Sequence, residues 1–275
     1  MKYFKNVLPA IFAAALVFGC QGKPVPPPVV RLATTTSVQD AGLLDLLTDA
    51  FQKDGKYKIQ SIAVGSGQAL QLGATGEADI LLVHSPDDEA RFVAAGYGTD
   101  RTTFLHNDFV ILGPAKDPAR IKGTIKAADA FRKIAAARAL FVSRADKSGT
   151  HNKELKIWAE ARVKPAKKYY MEIGQGMAAT LSIANEKNAY ILADRSTYLS
   201  MKAHLRLEIL SAGDEVLINH YSLILVNPAK FPKVNVEGAR AFFDFVLSAP
   251  ARALIENLGK DKYGQPLFYY DYPAK

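Results

Sequence analysis

The sequence predicts an α/β fold, and three observations point there. Short apolar runs alternate with amphipathic segments along most of the 275 residues, as in sheets covered by helices. Hydrophobic residues make up 49% of the chain, enough to bury a sizeable core in one large domain or two smaller ones. A single cysteine excludes an intramolecular disulfide framework, so packing must hold the fold together. With 23% charged residues the chain is neither a disordered polymer nor a collagen-like repeat. Its net charge of +8 steers anions or nucleic acid toward the surface but names neither.

The elements follow in order. Lys2 and Lys5 precede an apolar run from Val7 to Phe18 that is short for a membrane span, so residues 1–19 read as a secretory signal peptide. Val17-Phe18-Gly19-Cys20 resembles the lipobox of bacterial lipoproteins, which makes Cys20 a diacylated N-terminus that anchors the protein to a membrane without spanning it. Pro24, Pro26, Pro27 and Pro28 make residues 20–28 an extended tether. No later stretch is apolar for long enough to cross a bilayer.

From Val29 onward, Val29–Ala33, Ile59–Val64, Ile80–Val83, Val110–Leu112, Leu140–Val142, Tyr190–Ala193, Leu207–Leu210 and Asn219–Val226 read as strands. Leu43, Leu46, Leu47, Ala50 and Phe51 line one face of a helix. Similar patterns cover Asp88–Ala95, Ala127–Ala137, Asn152–Ala161, Gly176–Glu186 and Ala239–Leu247. This interleaving predicts mostly parallel sheets covered on both faces. The late strand followed by a helix-rich tail fits a chain that crosses to a second lobe and returns.

In such folds ligands sit where a strand ends and the next helix begins. Thr34-Thr35-Thr36-Ser37 is one such turn, with Ser37 and Asp40 spaced as a capping box. Gly65-Ser66-Gly67-Gln68 is a second, whose glycines allow close backbone approach. The third, Ser143 to Thr150, holds Arg144, Ser148 and Thr150, and Gly174-Gln175-Gly176-Met177 is a fourth. Each has a plain alternative: an ordinary N-cap, a tight turn, or a surface arginine paired with Asp146. Together they supply hydroxyl and N–H donors, one guanidinium and almost no carboxylate. That balance suits a fully deprotonated oxyanion better than a partly protonated phosphate, which needs an acceptor.

Enzyme signatures are missing. Gly65-Ser66-Gly67 lacks the spacing of a nucleophile elbow, and no phosphate-binding P-loop occurs. The five histidines have no metal-ligand spacing, although His84 and His151 are placed to line a cleft. Phe268-Tyr269-Tyr270-Asp271-Tyr272 reads as packing, not as a stacking platform for nucleic acid.

In combination, Thr34–Ser37, Val64–Leu70, Ser143–His151, Gly174–Leu181, Ala189–Leu199 and Asn219–Pro228 resemble the tungstate-binding proteins of bacterial tungstate ABC importers, in order and across nearly all of residues 31–270. The resemblance implies a class II periplasmic-binding-protein fold, an α/β architecture of two mixed-sheet lobes joined by a two-strand hinge. Lobe 1 is expected at 29–110 plus 211–275 and lobe 2 at 111–210. It implies an ABC permease with its ATPase as partner, a monomer at the periplasm or cell surface, no catalysis, no metal site and no cofactor, tungstate being cargo. Carried over residue by residue, the oxyanion is held by Thr35, Ser66, Arg144 and Thr150, with Thr36, Ser37 and Ser148 as further donors. Lys147 departs from the family, where an acidic or small residue is expected. Two alternatives remain: the same fold binding molybdate, sulfate or phosphate, or a lipid-anchored serine hydrolase with Ser66 or Ser148 as nucleophile beside His84 or His151. A third is a surface interaction module with no small ligand.

Overall fold

A computed structural model describes residues 26–163 and 165–273; Cys20 and the proposed signal peptide lie outside the described residues. The chain runs through β1 (Val29–Thr35), α1 (Thr36–Asp40), α2 (Leu43–Phe51), β2 (Lys58–Val64), α3 (Ser66–Ala74), β3 (Ile80–Val83) and α4 (Pro86–Ala94). It continues through β4 (Gly98–Pro114), α5 (Ala127–Ala136), β5 (Phe141–Ser143), α6 (Gly149–Ala161), β6 (Tyr170–Glu172), α7 (Met177–Lys187), β7 (Ile191–Asp194) and α8 (Arg195–Met201). It ends with β8 (Leu207–Ser211), β9 (Ile218–Val226), α9 (Val236–Val246), α10 (Ala249–Asn257), α11 (Lys260–Tyr263) and β10 (Tyr269–Tyr270).

The main sheet runs β10-β4-β9-β3-β1-β2. Its central strand β3, Ile-Leu-Leu-Val, is fully buried on both faces, which is why the segment is a continuous apolar run instead of an alternating one. β1 pairs in parallel with β2 and β3, whereas β9 pairs antiparallel with both β3 and β4. The sheets are therefore mixed, not mostly parallel. The departure comes from β4, whose 17 residues the sequence revealed only at Val110–Leu112, because Thr, Asp, Arg, His and Asn are interleaved through its first half.

β4 also changes partners. From Gly98 to Asp108 it pairs with β9, and the last two pairs of that ladder are Asn107↔Asn219 and Asp108↔Ile218. From Phe109 it pairs with β7, and from Ile111 also with β8, both antiparallel. A bridge from Phe141 to Tyr190 sets the parallel pair β5–β6 beside β7.

The expected capping box does not form. Thr35 occupies the N-cap of α1 without a side-chain bond to the helix backbone, and Ser37 is buried inside this five-residue helix of which Asp40 is the last residue. α2 instead starts from Gly42 in the left-handed region, φ +77°, which a residue without Cβ adopts freely. Its Leu43, Leu44 and Leu47 face the core.

An aromatic core fills the space between α5, α6 and β5. Phe131 lies 4.3 Å from Trp158 and 5.1 Å from Phe141, centroid to centroid, and Phe131 and Phe141 are completely buried. Removing a fully buried ring costs about 3–5 kcal/mol through lost transfer energy and the cavity left behind. Phe131→Ala is therefore expected to lower unfolding free energy by about that amount in urea denaturation, with the m-value unchanged.

Candidate functional site

Four strand-to-helix turns converge. α3 begins at Ser66, and a Cβ placed on Gly65 would lie 3.8 Å from the Asp146 carbonyl oxygen and 3.9 Å from Ser148 Cα. One placed on Gly67 would lie 3.6 Å from the Lys147 carbonyl oxygen. The second and third turns thus lie side by side, with room between them for little more than one Cβ. Ala145 (φ +51°) and Lys147 (φ +59°) take the left-handed conformation that coils this loop into the start of α6. Gly149 admits no side chain: a Cβ would stand 2.8 Å from the His84 carbonyl oxygen and 2.9 Å from the imidazole. At the first and fourth turns, a Cβ on Gly176 would be 3.6 Å from Thr36 Oγ1.

The side chains expected at the site are buried there together. Thr35, Ser37, Ser66, Arg144, Ser148 and Thr150 are each at most 3% exposed, and Thr36 is half-buried. Lys147 is exposed, unlike these buried groups. Arg144 is no surface arginine. Its Nη2 and Nε donate to Asp146 Oδ2 at 2.6 and 3.1 Å, and its Nη1 donates to Thr150 Oγ1 at 3.3 Å. Because Thr150 accepts that bond, its own hydroxyl proton stays available. Asp146 Oδ1 accepts from the Ser148 amide at 3.1 Å, so both carboxylate oxygens are already engaged. Ser148 caps α6 by accepting from the His151 amide at 3.3 Å. Ser66 Oγ is buried and has no hydrogen-bond partner, a costly state that a bound acceptor relieves.

The two candidate histidines part ways. His151 Nδ1 accepts from the Lys147 amide at 3.1 Å and supports the turn from outside. His84 is 4% exposed, with Nε2 3.2 Å from Ser37 Oγ and Nδ1 3.0 Å from Asn219 Oδ1. Burial, helped by the Arg144 charge, lowers its pKa to about 4. Behind it lies a group that the sequence reading missed: Asn107, Asp194, Ser196, Asn219 and Tyr221, all buried where β4 changes partner. The only sequence signal for them was asparagine inside apolar strand patterns. Among the described residues no cluster of three or more His, Cys, Asp or Glu is placed to hold a metal ion. Phe268 is fully buried and packs edge-on to Tyr221 at 5.5 Å, so the aromatic tail begins as packing, while Tyr269 is 46% exposed and stacks on His106.

The chain's sequence and fold match known proteins. Residues 23–250 match the model of the PBP superfamily domain. The chain is 46% identical over 98% of its length, and 98% of the relative's, to the tungstate-binding protein TupA of Peptoclostridium acidaminophilum. The chain belongs to the TupA family of the PBP superfamily. Two solved structures agree with this membership. The tungstate-binding protein TupA from Desulfovibrio alaskensis is 43% identical with a TM-score of 0.77, covering 90% of this chain and 100% of that one. The tungstate ABC transporter structure from Geobacter sulfurreducens is 44% identical with a TM-score of 0.76, covering 82% and 97%. The TupA-family chain thus has the two-group α/β fold expected of it, with helices packed on mixed sheets.

The buried imidazole gives a pH signature. Between pH 6.5 and about 4 the unfolded chain binds a proton at His84 that the folded chain refuses, so this group's contribution to stability is lost as pH falls through that window. Glu154, which burial raises to about 7, works in the opposite sense from pH 7 down to 4.5. The difference between wild type and His84→Gln isolates the histidine: wild type should lose stability relative to the variant on acidification, by up to about 1.4 kcal/mol per pH unit. Urea titrations of both proteins at several pH values between 4 and 7 check this.

Proposed function

We propose that this protein binds tungstate outside the cytoplasm and hands it to an ABC permease driven by its ATPase. The observation that carries the reading is the convergence of the Arg144 guanidinium, the proton-bearing Thr150 hydroxyl and the unpartnered Ser66 hydroxyl in one water-excluded place. Two of its relatives bear the name of tungstate-binding protein, and a third relative, known by its structure, is titled a tungstate ABC transporter. We assign Thr35, Ser66, Arg144 and Thr150 as ligand contacts, and Thr36, Ser37 and Ser148 as the residues that complete the shell.

Chemistry supports a fully deprotonated oxyanion. A protonated phosphate would need an acceptor, and the one carboxylate in these turns, Asp146, already accepts from Arg144 and the Ser148 amide. Charge-assisted donors in a dry site bind a dianion far more strongly than the same donors in water.

The partner switch of β4 supports two lobes whose crossovers lie at Asp108–Phe109 and between Ser211 and Ile218, within a few residues of 29–110 plus 211–275 against 111–210. On this division Ser66 and Arg144 come from opposite lobes, so an anion engages both only when the cleft is shut. Binding then stabilises the closed arrangement by the difference in its affinity for the two states. Lys156–Asp87 and Asn152–Asp88 contacts join α6 to α4 across the same gap.

A serine hydrolase is not supported. Ser66 has no imidazole partner, and Ser148 is engaged by a peptide N–H, not by a ring. His84 does face Ser37, but an imidazole with a pKa near 4 is a poor general base at neutral pH.

We infer that Cys20 tethers the protein to a membrane through its lipid, the folded part acting as a monomer. None of the described helices is long and apolar enough to cross one. Cys20→Ala is expected to move the protein from the membrane fraction to the soluble fraction, as cell fractionation followed by immunoblotting reads out.

For the ligand site, isothermal titration should show Arg144→Ala losing tight tungstate binding altogether. Ser66→Ala should lose about 1.5–3 kcal/mol, the worth of a hydrogen bond to a charged acceptor. Tungstate should raise the melting temperature of the wild type more than phosphate does. Unchanged affinity in Arg144→Ala would rule the assignment out.

A further inference from the structure

A continuous chain of buried hydrogen bonds links the anion-site turn to the far side of the hinge strands, and one carboxylate fixes its direction. Asp194, the N-cap of α8, accepts from the Thr197 amide at 2.8 Å and from Thr197 Oγ1 at 2.9 Å. It also lies 2.6 Å from Ser196 Oγ, and a carboxylate only accepts, so the Ser196 proton goes to Asp194. Ser196 Oγ must then accept from the Asn107 amide group, 3.1 Å away. With its NH2 so committed, Asn107 presents Oδ1 to Asn219 Nδ2 at 2.8 Å. Asn219 in turn presents Oδ1 to His84 Nδ1 at 3.0 Å, so Nδ1 carries the hydrogen.

A neutral imidazole has one N–H, so His84 Nε2 is bare and takes the Ser37 hydroxyl proton at 3.2 Å. Ser37 Oγ, its own proton spent, accepts from Thr35 Oγ1 at 3.1 Å. Tyr221 reinforces the same sense: its hydroxyl accepts from Asn219 Nδ2 at 2.9 Å, which fixes the Asn219 amide group with Oδ1 toward His84. The reverse direction would leave Ser196 donating to Asn107 and Asp194 without that proton, which costs a buried charge one of its bonds.

We propose that His84 is a positioning residue for the anion site: the chain anchored on Asp194 locks it as the Nδ1–H tautomer, and it turns the Thr35 and Ser37 hydroxyl protons inward, away from the ligand. These two hydroxyls therefore hold the first turn in shape, the turn's contact with the oxyanion is through its backbone N–H groups, and hydroxyl donation falls to Ser66 and Thr150. The chain passes through Asn107 and Asn219, the paired residues at which β4 is about to leave β9. The first turn is thus ordered by groups on both sides of the partner switch. The role rests on the anion-binding reading above, whereas the tautomer itself does not.

The test is long-range proton–nitrogen NMR of protein labelled at histidine with nitrogen-15, the His84 signals being assigned by their loss in His84→Gln. The expected spectrum shows a protonated Nδ1 and a bare Nε2; an Nε2–H tautomer overturns the proposal. The second arm is Ser196→Ala, which touches neither the anion contacts nor His84. It should bring in a second His84 tautomer and weaken tungstate binding roughly five-fold, the worth of about one neutral hydrogen bond. A single unchanged tautomer with unchanged affinity overturns the anchoring role. Wild-type protein that binds no tungstate while showing the Nδ1–H tautomer would defeat the functional reading, and with it the positioning role, but not the direction of the chain.

Discussion

The antiparallel pairing of β4 with β9, and its abrupt end at Asp108, is the constraint on which the rest of this molecule depends. One strand of 17 residues serves two groups of strands, first beside β9 and then beside β7 and β8. Because the backbone is continuous, the end of β1 with its Thr-rich turn is held in register with the β5–α6 loop that carries Arg144. A strand is stiff along its length and compliant at a partner change. The same element therefore fixes where the donors meet, and on the two-lobe reading proposed above its partner change is where the two groups would swing.

Desolvation explains how the site is populated. A guanidinium only 3% exposed is expensive unless its donors are satisfied, and Arg144 spends them on Asp146 and Thr150. Those contacts aim the charge and leave the Thr150 proton outward. Ser66, unpartnered at the start of a nine-residue helix, is the complement from the other side. One glycine beside it is required by contact: at Gly149 a Cβ would stand 2.8 Å from the His84 carbonyl oxygen, whereas at Gly65 and Gly67 a Cβ would make only ordinary contact with the Asp146–Ser148 backbone. The site is thus a set of donors held apart from water by close backbone packing.

Much of this was legible in the sequence, and for identifiable reasons. Leu43–Phe51 declared itself a helix because its apolar residues recur on one face, and Ile80–Val83 declared itself a buried strand because all four are apolar. The turn residues stood out because hydroxyls, glycine and arginine cluster where strands give way to helices. β4 was nearly invisible, since Arg101, His106, Asn107 and Asp108 break any simple alternation while pairing with β9 or bonding to Glu89, Asp271 and Arg195. Ser37 and Asp40 had the spacing of a capping box, yet the burial of Ser37 against His84 took that hydroxyl for another partner.

What the sequence determined by itself was local: which segments carry helical or strand periodicity, which turns are rich in donors, and that an anion suits them better than a cation. These depend on neighbours within a few residues, whose chemistry is written consecutively. What only the tertiary structure decided was long-range. Arg144 is buried and not on the surface, His84 faces Ser37 and not a nucleophile at Ser66, and Asn107 meets Asn219 across 112 positions of chain. Such pairings arise from sheet register and from the exclusion of water, and neither is encoded in any one stretch of residues.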